Sequence, residues 1–291
     1  MDGARSLPNP TVRCRAFGDN GGRGGQHESI SPLVGEMAGR PEGGAGGASA
    51  ACQPTDKRLT LETFHAWPLS RRPEQTPPEG DWRTWLMLGG RGSGKTRAGA
   101  EWVHDLAMQA TRPLRIALVA ETLADAREVM IDGVSGIWRI ARRCRPYFEI
   151  TRRRLVWPNG CVAQIFSSED PDSLRGPQFD YAWCDELAKW KHAQETWDML
   201  QFGLRLGSQP RQVVTTTPRP VPLLRALIDD PGTRLTRLST RANAENLARG
   251  FLDAIHKRYG GTRLGRQELE GELIEDREDA LWNRALLERL R

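Results

Sequence analysis

The sequence has no long apolar run. Its longest uninterrupted apolar stretches, such as residues 116–120 and 85–88, are far shorter than the roughly 18 residues that a membrane-spanning helix needs. Residues 1–10 lack the apolar core of a secretory signal. The five cysteines form no C-x-x-C pair and are odd in number, which argues against a disulfide scaffold or a zinc site. These absences predict a protein of the reducing cytoplasm with no membrane partner.

Lysine is scarce, so that nearly all of the basic side chains are arginines. The 42 Lys plus Arg exceed the 37 Asp plus Glu and give a net charge of +5. This mild excess is compatible with a polyanionic partner but does not require one. Guanidinium groups suit bidentate phosphate contacts, although a GC-rich genome explains the same bias.

Glycine is unevenly distributed, since 12 of the 30 glycines lie in the first 55 residues. Residues 1–56 are of low complexity and bury too little apolar surface to fold, so we expect them to be disordered. Residues 31–44 resemble translated intergenic repeat DNA of some bacterial genomes, which predicts a true start further downstream. Residues 57–78 are polar and proline-rich, with one short helix expected over 61–67.

From residue 84 onward, short apolar strands alternate with helices, which is typical of an α/β domain with a mainly parallel central sheet flanked by helices. The predicted strands cover residues 84–88, 115–120, 179–184 and 211–216. The predicted helices cover residues 95–109, 123–130, 193–204, 247–259 and 263–274. Residues 148–165, interrupted by Pro158-Asn159-Gly160, predict an inserted β-hairpin because Asn-Gly favours tight turns.

A phosphate-binding loop follows the first predicted strand and precedes the first long helix. It matches the pattern G-x-x-x-x-G-K-[ST], with the residues Gly89, Gly90, Arg91, Gly92, Ser93, Gly94, Lys95 and Thr96. The glycines allow backbone N–H groups to surround a phosphate, and the helix adds the positive end of its dipole. Lys95 would bridge the β- and γ-phosphates of ATP, and the Thr96 hydroxyl would ligate Mg²⁺. The pattern predicts a P-loop nucleoside triphosphatase.

A second acidic element stands at the end of the predicted strand 179–184. Asp185 and Glu186 follow this apolar run, at the carboxyl end of the strand, where α/β sheets bind ligands. We expect Asp185 to hold the metal and Glu186 to act as the general base for water. The alternative is that the two acids only cap the next helix. The phosphate loop favours the metal-binding interpretation.

Two arginines and three threonines complete the candidate site. Arg91 lies inside the loop, and Arg175 precedes the acidic strand; either could act as an arginine finger or lie unengaged on the surface. Thr215, Thr216 and Thr217 end a valine-rich strand, where their hydroxyls could sense the γ-phosphate. Ordinary β-propensity followed by a proline stop is the alternative for these threonines.

Four stretches together resemble the large terminase subunit of tailed phages, in particular the DNA-packaging proteins of gene transfer agents and related prophage clusters. They read WRTWLMLGGRGSGKTRAGAEW, SLRGPQFDYAWCDELAKW, TTTPRP and GGTRLGRQELEGELIED. The resemblance covers about residues 60–276. On this basis we place a terminase-like P-loop domain at residues 57–276, followed by a tail at residues 277–291.

The resemblance implies an ATPase that assembles as a ring on the portal of an empty capsid and drives double-stranded DNA inward. Portal protein and a small terminase subunit are the implied partners, ATP and Mg²⁺ the implied ligands, and the bacterial cytoplasm the implied location. It assigns Lys95 and Thr96 to Walker A, Asp185 and Glu186 to Walker B, and the three threonines at 215–217 to the coupling motif. Arg91 matches the Walker A arginine, and Arg175 matches an arginine suspected of acting on the neighbouring subunit's ATP.

One departure from the family keeps two other functions open. Family members continue into a nuclease domain, but only about 15 residues follow position 276 here, so we expect no nuclease activity from this chain. A truncated or decayed prophage protein that binds ATP or DNA without packaging is one alternative. A helicase-like P-loop ATPase is another, although the further nucleic-acid motifs of helicases are not found after the acidic pair.

Overall fold

The computed structural model describes residues 67–142, 144–248 and 250–274. The segments expected at residues 1–56 and 277–291, and all but the last residue of the helix expected over 61–67, lie outside the described residues. Within them, the strands are β1 Thr84–Gly89, β2 Arg115–Ala120, β3 Tyr147–Glu149, β4 Arg154–Val156, β5 Val162–Ser167, β6 Tyr181–Asp185, β7 Arg211–Thr216 and β8 Thr233–Leu238.

Helices connect these strands and cover both faces of the sheet. The α-helices are α1 Trp67–Ser70, α2 Lys95–Gln109, α3 Leu123–Asp125, α4 Ile137–Ile140, α5 Ala193–Gly203, α6 Pro222–Asp229, α7 Phe251–Tyr259 and α8 Arg263–Gly265. Short 3₁₀ turns cover Pro73–Gln75, Pro171–Leu174, Leu187–Lys189 and Arg241–Asn246. Two π-helical segments cover Ala126–Ile131 and Arg266–Glu270.

The eight described strands form one sheet in the order β3-β4-β5-β2-β6-β7-β1-β8. Strands β5, β2, β6, β7, β1 and β8 run parallel, whereas β3 and β4 are joined by antiparallel pairing to each other and to β5. Because β6, β7 and β1 are adjacent and parallel, the loops at their carboxyl ends lie side by side at one end of the sheet, where α/β folds bind ligands. The α/β fold with a mainly parallel sheet is therefore confirmed.

Successive residues of the central strands point to opposite faces, and both faces are buried, as parallel sheets require. Trp85, Met87 and Trp183 pack with α2 on one face, while Leu86 and Leu88 pack on the other face with α5 and α6. Helix α2 approaches the sheet closely at Gly99, where an added Cβ would lie 2.3 Å from the Trp183 ring. Glycine at this position lets the helix that follows the phosphate loop pack directly on β6.

The predicted hairpin forms and has one strand more than expected. Gly160 adopts a φ of 85° in the turn between β4 and β5, where its N–H donates to the Trp157 carbonyl at 2.9 Å. β3 adds a third strand outside β4. Since β5 pairs in parallel with β2, the hairpin extends the central sheet and β3 becomes its edge.

Three predicted helices differ from the structure. The helix predicted over 123–130 starts as α3 but widens into a π-helix, and this places the adjacent residues Met130 and Ile131 together in the core. The helix predicted over 263–274 widens in the same way. The helix predicted over 247–259 begins only at Phe251, because Gly250 precedes it with a φ of 80°.

Besides the short helix α4 and the 3₁₀ turns, one helix and one strand of the structure are not predicted from the sequence. Helix α6 and the edge strand β8 carry the chain past β1 on the side away from the hairpin. β8 reads TRLTRL and is half exposed, so it lacks the continuous apolar run of a central parallel strand.

Among the described residues, no helix is both long enough and apolar enough to cross a bilayer.

Candidate active site

The predicted phosphate loop connects β1 directly to α2, with Gly89 as the last strand residue and Lys95 as the first helical residue. Gly92 and Gly94 adopt φ angles of 71° and 89°, which glycine tolerates without strain. The amides of Lys95 and Thr96 belong to the first turn of α2, where helix geometry leaves N–H groups without an intrahelical acceptor. The loop therefore presents backbone donors at a helix N-terminus, which suits an anion.

The carbonyl groups of the loop are paired with side chains. Each carbonyl from position 90 to 94 accepts a hydrogen bond from a side chain. The bonds are Lys95 Nζ to Gly90 O (3.2 Å), Thr240 Oγ1 to Arg91 O (2.7 Å), Asn243 Nδ2 to Gly92 O (2.7 Å), Arg72 Nη2 to Ser93 O (2.5 Å) and Gln75 Nε2 to Gly94 O (3.1 Å). The four side chains that come from other parts of the chain fix the loop conformation from outside, whereas Lys95 belongs to the candidate site itself.

The Ser93 hydroxyl lies beneath the loop. Ser93 is fully buried, and its Oγ has no hydrogen-bond partner among the described groups. A Cβ added at Gly89 would lie 2.6 Å from this Oγ, so glycine at position 89 leaves room for the Ser93 side chain.

The acidic pair lies at the carboxyl end of β6, as predicted. Asp185 is the last strand residue and is buried. Glu186 follows in the left-handed region, with φ 49° and ψ 42°, a conformation that costs a non-glycine residue about 1–2 kcal/mol. Its amide donates to the Thr215 carbonyl of the neighbouring strand β7 at 2.6 Å. The strained backbone turns the Glu186 side chain towards Lys95.

Lys95, Glu186 and Thr217 meet between the loop and the two strand ends. Lys95 is only 5% exposed; its Nζ lies 3.5 Å from Glu186 Oε1 and donates to Thr217 Oγ1 at 3.3 Å. The Thr217 amide donates to Glu186 Oε2 at 3.2 Å, and its hydroxyl lies 3.5 Å from Oε1. Walker A, Walker B and the last threonine therefore share one buried polar cluster.

The other two threonines of the triplet bind different partners. Thr215 Oγ1 donates to Asp185 Oδ1 at 2.6 Å and accepts from the Trp183 indole N–H at 2.8 Å. Thr216 Oγ1 accepts from the Ala188 amide at 3.0 Å, in the turn that follows the acidic pair. Each hydroxyl of the triplet thus holds a separate part of the acidic strand end.

The two carboxyl groups differ in acidity. Burial, together with the neighbouring Glu186 carboxylate, raises the pKa of Asp185 to about 6. Burial also disfavours the charged form of Glu186, but the nearby Lys95 and Lys189 ammonium groups more than offset it and leave the pKa of Glu186 below its ordinary value. Glu186 is thus ionised at neutral pH, and a cation at Asp185 would relieve the cost of its buried charge.

The two candidate arginine fingers lie outside this cluster. The Arg91 Nε lies 3.1 Å from Glu268 Oε2, and its amide donates to the Glu268 carbonyl at 2.7 Å. The Arg175 Nε lies 2.7 Å from Asp172 Oδ1, three residues earlier. Both guanidinium groups are about 70% exposed, at 73% and 69%, so these ion pairs contribute little stability.

Sequence reasoning did not find the side chains that hold the loop from outside. Arg72 and Gln75 precede β1, whereas Thr240 and Asn243 follow β8. Arg72 and Asn243 also bind each other, with Arg72 Nη1 donating to Asn243 Oδ1 at 2.5 Å. The only signal for them in the sequence is the general requirement that the loop carbonyls find donors.

The chain matches a protein family over most of its length. The model of the family described as terminase large subunit, T4likevirus-type, N-terminal, matches residues 86–289, more than two thirds of the chain. A comparison with curated proteins found no match.

Solved structures share the fold at low sequence identity. The large terminase ATPase domain of Thermus phage P74-26 is 15% identical, with a TM-score of 0.53, and the match covers 77% of this chain and 100% of that chain. The large terminase of another thermophilic bacteriophage, in complex with ADP, is 16% identical, with a TM-score of 0.57 over 75% of this chain and 53% of that chain. That second terminase was also solved with ATP-gamma-S. The chain spans about half the length of the second terminase, and at these identities the likeness shows the fold.

Proposed function

Because the chain belongs to the family of terminase large subunits of the T4likevirus type, we propose that it is the ATP-hydrolysing motor domain of a phage or gene-transfer-agent terminase. In this function it couples ATP hydrolysis to the translocation of double-stranded DNA into a capsid, with Mg²⁺ as the required ion. We keep the domain at residues 57–276; the described part spans 67–274. The observation that carries the proposal is the cluster in which Lys95 reaches Glu186 and Thr217 at once.

The residues of the site fit a nucleotide phosphate group and a metal ion. The loop offers backbone amides and the Lys95 ammonium to an anion. Thr96 and Asp185 supply oxygen ligands, and bound Mg²⁺ would neutralise charge on the phosphates. In the described part of the chain, no three His, Cys, Asp or Glu residues form a metal site by themselves. A Mg²⁺ site of this type is completed by phosphate oxygens and water.

We propose a role in hydrolysis for each residue of the cluster. Lys95 binds the phosphate oxygens, and a phosphate competes with Glu186 for the Lys95 ammonium. Glu186, ionised at neutral pH, accepts a proton from the attacking water. Thr217 touches both side chains, so a change at the phosphate reaches β7 through its hydroxyl and amide. We propose Thr215, Thr216 and Thr217 as the coupling element on this basis.

The arginines have a separate role in the proposed assembly. Arg91 and Arg175 are exposed and each forms one surface ion pair, so neither reaches Lys95 or Glu186 of its own subunit in this conformation. We propose that Arg175 acts on the ATP of a neighbouring subunit in a homo-oligomeric ring, and that Arg91 closes over the phosphates when it releases Glu268. Portal protein and a small terminase subunit are the partners of this ring, in the bacterial cytoplasm.

Phosphate release by the full chain tests the proposal. With Mg-ATP, the unsubstituted chain should hydrolyse ATP slowly, and Lys95→Ala should abolish both nucleotide binding and release. Lys191→Ala, which removes an exposed lysine shortly after the acidic pair, is the matched control and should change neither. Nucleotide binding without turnover in the unsubstituted chain would instead favour the truncated, non-packaging protein.

A further inference from the structure

The positive charge of the chain is concentrated in one segment. Residues 133–161 contain seven arginines, one glutamate and no lysine or aspartate, a net charge of 7 − 1 = +6. The whole chain carries +5, so all other residues together sum to −1. The net positive charge of the chain therefore comes from this segment.

The structure gathers this segment at one edge of the sheet. It forms α4, the loop to β3, β3 itself and the turn into β4. Trp138 of α4 holds these parts together, because its indole N–H donates to the Pro146 carbonyl at 3.1 Å and its ring packs edge-on against Phe148 at 6.4 Å. Since β3 is the outermost strand, the segment borders solvent along the sheet edge.

Among the described residues of this segment, five arginines are exposed, and we call them the basic edge: Arg139, Arg142, Arg145, Arg152 and Arg153. Glu149 is the one carboxylate of the segment, and it pairs with Arg154 at 2.7 Å and with Arg152 at 3.9 Å. Outside the segment, the Glu101 carboxylate of α2 interacts with Arg142. Two carboxylates cannot balance this many guanidinium groups. The basic edge therefore keeps a strong positive potential that falls with ionic strength.

The part of the basic edge on and next to β3 is too far from the phosphate loop of its own subunit to bind that ATP. Six strand spacings separate β3 from β1, which amounts to roughly 29 Å at about 4.8 Å per spacing. A single arginine finger for a neighbouring subunit needs only one guanidinium, whereas here five lie within 15 residues. An extended polyanion with regularly spaced phosphates matches them better.

We propose that the basic edge binds the phosphate backbone of double-stranded DNA. This inference rests on the proposed function, which supplies duplex DNA as the substrate that is moved. Backbone contacts of this kind carry no sequence information and suit a motor that must move any sequence. Two exposed apolar side chains, Tyr147 and Ile150, lie among the arginines. Since apolar side chains also suit a protein interface, an acidic protein surface is the alternative partner.

Two triple variants of the full chain with equal loss of charge test the proposal. The basic-edge variant is R139Q/R145Q/R152Q. The control is R205Q/R234Q/R237Q, whose residues are also exposed and two of which lie on β8, the opposite edge of the sheet. Binding of a fluorescent duplex of about 30 base pairs, longer than one dsDNA helical turn, is measured by anisotropy across a salt series, and thermal melts verify that both variants fold.

We expect the basic-edge variant to lose on the order of tenfold to a hundredfold in duplex affinity at about 0.1 M salt, and the control to lose little. Its slope of log affinity against log salt should fall by about 2–3, since each lost phosphate contact removes about 0.9. Equal losses in the two variants, or no binding by the unsubstituted chain, would overturn the proposal. Displacement of the duplex by polyglutamate of equal charge would assign the surface to an acidic protein.

The basal rate of phosphate release separates this inference from the proposed function. The basic-edge variant should release phosphate from Mg-ATP without DNA at the unsubstituted rate. If the unsubstituted chain hydrolyses ATP and the basic-edge variant binds duplex DNA as tightly as the unsubstituted chain, only the proposed DNA-binding surface is wrong. If it hydrolyses no ATP at all, the motor function fails, and the duplex measurements still decide whether the basic edge binds DNA.

Discussion

The nucleotide end of the sheet and its basic edge use charge in opposite ways. At the nucleotide end, Lys95, Asp185 and Glu186 are largely buried, and each makes contacts with named partners at the ends of β6 and β7. At the basic edge, charge is exposed and one glutamate faces many arginines. The buried charges hold the side chains of the nucleotide end in one geometry, in a medium of low dielectric constant. The exposed arginines instead produce an electrostatic potential in the surrounding solvent, which salt screens.

This difference determines how each region responds to substitution. In a buried network, removal of one group leaves its partners without hydrogen bonds, so effects are large, local and insensitive to salt. At an exposed edge, effects are small per residue, nearly additive and salt-dependent. The predictions that follow test the nucleotide end and its connection to the basic edge.

Substitution Glu186→Gln should have the largest effect. Without a carboxylate, the attacking water has no proton acceptor, and we expect turnover to fall by about 10²–10⁴ while ATP binding remains, because a general base contributes about that factor. Glu195→Gln, an exposed acid at the start of α5, is the matched control and should leave turnover unchanged. Turnover in Glu186→Gln equal to that of the control would remove Glu186 from the mechanism.

Substitution Thr215→Val should destabilise the chain by about 2–3 kcal/mol, because it removes a donor from the buried Asp185 and an acceptor from the Trp183 indole. Thr236→Val is the matched control, since Thr236 likewise accepts from an indole, that of Trp85 at 2.9 Å, on β8. The control should cost about 1 kcal/mol and spare ATP turnover, whereas Thr215→Val should reduce it. Urea unfolding and phosphate release measure the two effects, and equal values for the two variants would contradict a special role of Thr215.

His104 connects the two regions, since α2 begins at the phosphate loop and His104 Nδ1 accepts from the Trp157 indole beside the hairpin turn at 3.1 Å. Burial lowers the pKa of His104 to about 4, below the unfolded value of about 6.5. Between these values the unfolded chain binds the extra proton, so stability falls as the pH falls through this window. We expect about 2 kcal/mol to be lost between about pH 7 and about pH 5 through this group.

The variant His104→Gln isolates this contribution, because glutamine keeps an acceptor for Trp157 but does not titrate. Its free energy of unfolding should fall less than that of the unsubstituted chain over the same pH interval. His256→Gln, an exposed histidine of α7, should follow the unsubstituted chain. Parallel pH curves for His104→Gln and the unsubstituted chain would show that His104 is not protonated on unfolding.

The sequence predicts the parts of the site whose signals are local. The loop and α2 follow from one octapeptide between an apolar strand and a helix, and the structure places both at the predicted residues. The side chains around the loop could not be predicted in this way, because Arg72 and Asn243 are 171 residues apart and meet only after β8 has paired with β1. β8 itself is not predicted because an edge strand with two exposed arginines has no buried apolar run.

Those distant side chains supply the smallest effect and the sharpest test of how the nucleotide end is built. Asn243→Ala removes the donor to the Gly92 carbonyl and the acceptor for Arg72, so the loop loses one of its outer supports. We expect ATP to bind about fivefold more weakly, a cost of about 1 kcal/mol, with a nearly unchanged melting temperature. Asn246→Ala, which touches Asn243 but not the loop, is the control. Equal ATP affinities in both variants would show that the loop keeps its conformation without Asn243, whereas a loss confined to Asn243→Ala would show that residues after β8 help to shape the phosphate site.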